Sequence, residues 1–248
     1  MGKVIAMAQH KGGVGKTSDS INIAAVLAKK GKKVLLVDND MQASLTVGVG
    51  IDPREERLTV ADLYQGHPAK DIILKTDYEN YDVLPASMRL ALIEAEFLKD
   101  RFDVLKTALS KVKKDYDYII IDCPPNLGAL TVNALMASDY VLIPCIPSTL
   151  ATYALDDLFS TIAAVKKKNR NLKTLGIIAS MYRKSEKLQR EKLEEMQKDY
   201  DVIGIIKYAA AVARAADEGR PLIMFDNRSE VSKQFYECGE TILNILEG

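Results

Sequence analysis

The sequence predicts an α/β fold: a mostly parallel, twisted sheet covered by helices on both faces. Short β-branched and aliphatic runs alternate with amphipathic stretches from end to end, the pattern of repeated strand–helix units. Central runs such as Ile119, Ile120 and Ile121 are apolar without alternation, as strands buried on both faces must be. The chain has 248 residues, 48% of them hydrophobic, which is enough for one large core. Residues 1–248 are therefore expected to form a single domain.

The first strand is expected at residues 3–8 (KVIAMA), followed by a helix at 17–30 that stops at Gly31, and a second strand at 33–38 (KVLLVD). Further strands are expected at 81–85, 116–122, 139–144, 174–180 and 202–206, with helices between them. Residues 45–80 are weakly periodic and hold Pro53, Gly66 and Pro68, so loops and short helices are expected there. A charged amphipathic helix over 185–200 should turn Leu188, Leu193 and Met196 inward. The last twenty residues place Val231, Phe235, Cys238, Ile242 and Ile245 on one face and carry more acid than base. This pattern suits a core helix better than a lipid anchor, because anionic lipid repels an acidic face.

Lys plus Arg equals Asp plus Glu at 34 each, so no global field draws the chain to a polyanion. Such a partner must be met by a local patch. Cys123, Cys145 and Cys238 are odd in number and widely spaced, with two histidines as the only co-ligands. This usage implies a reducing compartment and no structural zinc. The first apolar run breaks at Gln9, His10 and Lys11, too early for a signal peptide. No run approaches the roughly 20 apolar residues of a membrane span, so a cytoplasmic location is expected.

The segment GGVGKT follows a predicted strand and opens a predicted helix. Glycines at 12, 13 and 15 let the backbone turn tightly and aim successive amides at phosphate oxygens, reinforced by the helix amino terminus. Gly12, Gly13, Val14, Gly15, Lys16, Thr17 and Ser18 are the candidate phosphate-binding residues. Lys16 would reach the β and γ phosphates of a nucleoside triphosphate, and Thr17 would place its hydroxyl on Mg²⁺.

An ordinary phosphate loop does not require Lys11. The run KGGVGKT resembles the deviant Walker A motif of the ParA/MinD group of P-loop ATPases. That resemblance implies that Lys11 reaches across a dimer to phosphates bound by the other subunit, as an intermolecular counterpart of an arginine finger. VLLVDNDMQASLT (34–46) resembles the group's second signature, which makes Asp40 the candidate for positioning the attacking water and puts Asp38 close to the metal. YIIIDCPPNLG (118–128) resembles a Walker B strand, which delivers Asp122 to the Mg²⁺ shell before Pro124 and Pro125 stop the strand.

The resemblance, spread over about half the chain, implies a ParA/Soj-type ATPase of the short form. Such a protein pairs around two ATP molecules into a sandwich homodimer and binds nonspecific DNA in that state. It drives plasmid or chromosome segregation with a centromere-binding partner that stimulates hydrolysis, and is nucleoid-associated. A MinD-type membrane-associated positioning ATPase is the alternative. Metal-cluster delivery is disfavoured by the lack of paired cysteines.

Three stretches depart from the family pattern. Ser18 and Asp19 stand where threonines are usual; the Ser18 hydroxyl can still donate to a phosphate, and the Asp19 carboxylate either meets the helix amino terminus favourably or lies near phosphate and weakens binding. Met41 replaces a proline. Residues 205–221 (IIKYAAAVARAADEGRP) lack the Pro-x-Asn sequence that holds adenine in relatives, leaving Lys207 and Tyr208 as the base-contact candidates. The DNA candidates are Lys166, Lys167, Lys168 and Arg170, then Arg183, Lys184 and Lys187, and finally Arg214 and Arg220, all expected to meet phosphate in a salt-sensitive way.

Overall fold

The computed structural model describes residues 2–248. The strands are β1 (Lys3–Met7), β2 (Val34–Asp38), β3 (Leu74–Lys75), β4 (Tyr81–Leu84), β5 (Tyr118–Asp122), β6 (Tyr140–Cys145), β7 (Lys173–Tyr182) and β8 (Val202–Lys207). They form one sheet in the order β3-β4-β2-β5-β1-β6-β7-β8. Every pairing is parallel except the β3–β4 edge. The seven expected strands are present, each within a few residues of its expected ends. The unexpected one, β3, has two residues, too few for any period to register.

Side-chain alternation explains why the central strands are apolar throughout. Ile119 and Ile121 pack into the core on one face of the sheet, and Tyr118 and Ile120 into the core on the other. Val4 and Ala6 divide from Ile5 and Met7 in the same way. A parallel sheet needs helices on both faces to cover these sets.

The helices of seven residues or more are α1 (Lys16–Lys29), α2 (Val104–Ser110), α3 (Ala129–Ala137), α4 (Thr149–Lys166), α5 (Lys187–Asp199), α6 (Ala210–Asp217) and α7 (Glu230–Glu247). Leu105 of α2, Leu130 of α3 and Leu158 of α4 cover one face, while Ile23 of α1 and Phe235 of α7 cover the other. Gly31, at φ +80°, follows α1 and supplies its left-handed stop. Residues 45–80 hold short helices at Ser44–Gly48, Val60–Tyr64 and Ala69–Ile72, as expected of weak periodicity.

α7 is a core helix. Val231, Phe235, Cys238 and Ile242 are buried, and burial of Phe235 alone is worth about 1.5–3 kcal/mol. The helix lies so close to α1 that a Cβ on Gly239 would sit 2.5 Å from Val26 Cγ1. The expected stripe needs one correction: Leu246 is buried, whereas Ile245 is 49% exposed. Continuing the spacing from Ile242 by four residues, a full helical turn, gives 246. In α5 Leu193 and Met196 turn inward as expected, but Leu188 is 52% exposed. Gln189 takes the inward place, accepting a hydrogen bond from Arg183 N at 2.8 Å and donating to Glu186 at 2.9 Å.

Candidate nucleotide site

β1 ends at Met7 and α1 begins at Lys16, so residues 8–15 must turn at the carboxyl edge of the sheet, where open α/β sheets bind ligands. Gly13 (φ +70°) and Gly15 (φ +94°) hold left-handed conformations that other residues reach only with strain. Residues 12–18 line a cavity of about 480 Å³, together with Asp40, Gln42, Pro125, Met181, Val212 and Arg220. Lys16 is buried at the foot of this cavity. Lys11 does not line it. Its ammonium lies instead near Cys145, whose thiol burial pushes up to about 12 and Lys11 partly draws back.

Behind the loop, carboxylates gather at the ends of β2 and β5. Thr17 Oγ1 donates to Asp122 Oδ2 at 2.7 Å, and Ser20 Oγ donates to Asp122 Oδ1 at 3.0 Å. Burial raises the Asp122 carboxyl to about 6 despite those bonds and the Lys16 ammonium. Asp38 stands opposite Asp122 in the β2–β5 register. Burial first, then the charge of Asp122, raises it to about 7. Asp40 lines the cavity, and its Oδ1 accepts from Gln42 N at 3.0 Å.

These hydroxyl and carboxylate oxygens are the hard donors that Mg²⁺ selects. Carboxylates crowded in low dielectric repel one another, and a bound cation would relieve that repulsion. The residues present fit the ion, with Thr17 in front and Asp122 behind it. Asp38, expected close to the metal, stands beside Asp122 at the end of β2. Its Oδ2 accepts from Thr46 N and Oγ1 at 2.8 and 2.7 Å, its Oδ1 accepts from Asp40 N at 3.2 Å, and it does not reach the cavity. A short turn through Asn39 links Asp38 to Asp40, and both Asp38 oxygens accept from protein donors.

Comparison with known proteins agrees with this geometry. A family model described as an AAA domain matches residues 2–174. The chain is 40% identical to the sporulation initiation inhibitor protein Soj of Bacillus subtilis, with 98% of each chain covered. The chain belongs to the ParA/Soj family. It is also 32% identical to the chromosome partitioning protein ParA of Caulobacter vibrioides, covering 98% of this chain and 94% of the relative. Among solved structures, it superposes with a TM-score of 0.86 on a Mycobacterium smegmatis protein described as cobyrinic acid a,c-diamide synthase with bound ADP and magnesium. That match has 31% identity and covers 100% of this chain and 96% of the other.

The departures from the ParA/Soj pattern now have positions. Ser18 lines the cavity as expected. Asp19, expected either to meet the helix amino terminus or to lie near phosphate, sits in the first turn of α1, turned inward and buried, with Ser180 Oγ donating to its Oδ2. Burial raises this carboxyl to about 8 against the pull of the Ser180 bond. A neutral group turned inward leaves the phosphate path free of repulsion.

Asp19, Met181, Lys207, Tyr208 and Val212 line a second cavity of about 120 Å³, which shares Gly15, Ser18, Met181 and Val212 with the first. Met181 sits at φ +53° in the irregular β7–β8 pairing. Gln42, Pro125, Met181, Val212 and Arg220 line the site without having been expected there. Arg220, expected at DNA, follows α6 and faces the nucleotide cavity.

The other DNA candidates are exposed but do not share one surface. Lys166, Lys167, Lys168 and Arg170 lie at the carboxyl end of α4, and Arg170 joins Lys3, Lys113 and Lys173 around a pocket at the amino ends of the strands. Arg183, Lys184 and Lys187 follow β7 at the opposite, nucleotide end. Arg214 lies on α6, whose Val212 and Ala216 line the cavity. Arg183 stacks 3.9 Å over the Tyr208 ring, so this second group borders the smaller cavity.

Proposed function

We propose that this chain is an ATPase that forms an ATP-dependent sandwich homodimer, binds nonspecific DNA in that state and drives plasmid or chromosome segregation. The observation that carries the reading is the division between two lysines of one loop. Lys16 lines its own cavity, whereas Lys11 stands outside it with no phosphate of its own subunit to serve. A second subunit apposed at this face would supply that phosphate.

Within one subunit, Lys16 and the amides of residues 12–18 would hold the phosphates, and Thr17 with Asp122 would hold Mg²⁺. When bound, the ion neutralises charge on the phosphate oxygens. Asp40, at the cavity wall, orients the attacking water. Cleavage then removes the group that Lys11 of the neighbour contacts, so hydrolysis resets the dimer. The base enters the smaller cavity beside Met181, Lys207 and Tyr208.

For DNA, the reading favours Arg183, Lys184, Lys187 and Arg214, because their position at the nucleotide end ties DNA contact to the dimer. Lys166, Lys167, Lys168 and Arg170 lie at the other end of the sheet and would act through a separate contact. A centromere-binding partner that stimulates hydrolysis belongs to the same reading, as does location on the nucleoid.

The test is DNA retention with ADP, ATP or a slowly hydrolysed ATP analogue across a salt series. Retention that needs the triphosphate and falls steeply with salt supports the proposal. Equal retention with ADP, or none with any nucleotide, contradicts it.

A further inference from the structure

The amino ends of the strands carry a second concentration of charge. The segments that meet or border there, 2–3, 113–115, 139–140 and 166–173, hold eight Lys and Arg against two Asp, in a chain whose 34 basic and 34 acidic residues cancel. Lys3, Lys113, Arg170 and Lys173 line a pocket of about 370 Å³. Its one carboxylate, Asp139, is already answered: Lys113 Nζ and Val4 N donate to Oδ2 at 2.7 and 2.9 Å. Arg170 and Lys173 are exposed, and among the described residues neither pairs with a carboxylate. Pockets for neutral ligands are mostly apolar, whereas Tyr140 is the one aromatic or aliphatic side chain here. An anion is the ligand that this wall suits.

A lysine in the last turn of a helix meets the dipole and needs no ligand, but α4 ends at Lys166, and Arg170 and Lys173 stand beyond it. The loop that carries them is pinned to the protein. Asn169 is buried and donates from Nδ2 to Leu135 O at 3.0 Å and Ser138 O at 2.8 Å, and Leu172 is buried as well. Lys173 N donates to Asp139 O at 3.0 Å. The backbone of both cations is therefore fixed before a ligand arrives, which lowers the ordering cost of binding. Lys173 begins β7 and Arg183 follows its last residue, so the ten residues of the strand set the two basic groups roughly 30 Å apart. They look out of opposite ends of the sheet.

We infer that this pocket is a second site for the phosphate backbone of duplex DNA, one on each subunit, so that an ATP dimer holds a second duplex away from its nucleotide face. This rests on the DNA reading above and gives the amino-end cations their partner. The proposed dimer closes at the nucleotide end, so the amino end of each sheet faces outward. Cations run out of the pocket through Lys168, Lys167 and Lys166, which suits a polyanion better than one small phosphate. Contacts of this kind hold phosphate and carry no sequence information.

The test immobilises one duplex, loads the chain onto it with a slowly hydrolysed ATP analogue, washes, and then offers a second, labelled duplex. The wild type should capture that duplex, with a yield that falls as salt rises. Arg170→Glu with Lys173→Glu, at two exposed positions, should keep retention on the first duplex within about twofold and lose about tenfold or more of the capture. The neutral pair, Arg170→Gln with Lys173→Gln, should lower the salt slope of capture by about two, one for each phosphate contact. Capture unchanged in both variants overturns the inference. Equal loss of retention and capture also overturns it, because one duplex would then run along both basic groups. A wild-type chain retained on the first duplex that captures no second one overturns it too, whereas a wild-type chain never retained overturns the DNA reading itself. Vesicles of phosphatidylglycerol and phosphatidylcholine, offered in place of the second duplex, should not be captured; capture of vesicles but not of duplex would assign the pocket to a membrane and overturn the inference.

Discussion

Thr17 and Asp122, 105 residues apart in the chain, are joined by a 2.7 Å hydrogen bond between the phosphate loop and the end of β5. The bond fixes the Thr17 hydroxyl at the cavity while Asp122 stays behind it, fully buried. Replacing Thr17 by Ala should lower ATP turnover by roughly 10²–10³-fold, the usual loss when a positioned electrostatic group is removed. ADP affinity should fall with Mg²⁺ present and change little in EDTA. An equal fall in both conditions, measured by calorimetry, would make Thr17 a phosphate contact alone.

Lys16 and Lys11 should separate cleanly. Lys16→Ala removes the buried cation of the subunit's own cavity and should weaken ADP by at least about a hundredfold. Lys11→Ala should leave ADP binding within about twofold, because Lys11 does not line that cavity. It should instead suppress ATP-dependent dimerisation, read by light scattering. Equal loss of ADP binding in both variants would contradict the division of labour.

Asp40 sits at the cavity wall with one oxygen held by Gln42 N. Asp40→Ala should leave the phosphate grip and Lys11 in place while removing the group that orients water. The expected product is a long-lived ATP dimer that stays on DNA through a chase with excess ADP. A variant that remains monomeric with ATP would show that Asp40 builds the interface.

The parts of this site that were legible in the sequence are contiguous in the sequence. Gly12 to Ser18 form one loop, Asp122 ends the apolar run of β5, and Asp40 lies two residues beyond the end of the apolar run of β2. Met181, Val212 and Arg220 arrive from the far half of the chain through strand order, and no local period marks them. Asp19 could be read as an oddity, but its inward turn depends on Ser180, 161 residues away. The reversal at Ile245 and Leu246 has a smaller cause, one residue of helical phase.

Asp62 links stability to the site. Its carboxylate accepts from Thr59 N at 2.9 Å and from both Arg89 terminal nitrogens at 2.9 Å, closing a capping box on the helix Val60–Tyr64. That helix carries Tyr64, which donates to Asn39 between Asp38 and Asp40. Burial pushes the Asp62 carboxyl up, but the Thr59 and Arg89 bonds outweigh it and hold the group below its ordinary 3.8. With Arg89 half exposed, solvent screens the pair, and Asp62→Asn should cost about 1–2 kcal/mol, mostly through the cap. A depressed folded-state value means the unfolded chain binds the proton more readily. The carboxylate's contribution is thus complete above about pH 4 and is lost as pH falls through the folded value. Urea midpoints of wild type and Asp62→Asn should differ by a constant amount from pH 7 to 5 and converge below 4. A gap that widens on acidification would mean that Asp62 is held above its ordinary value, with burial outweighing the cap.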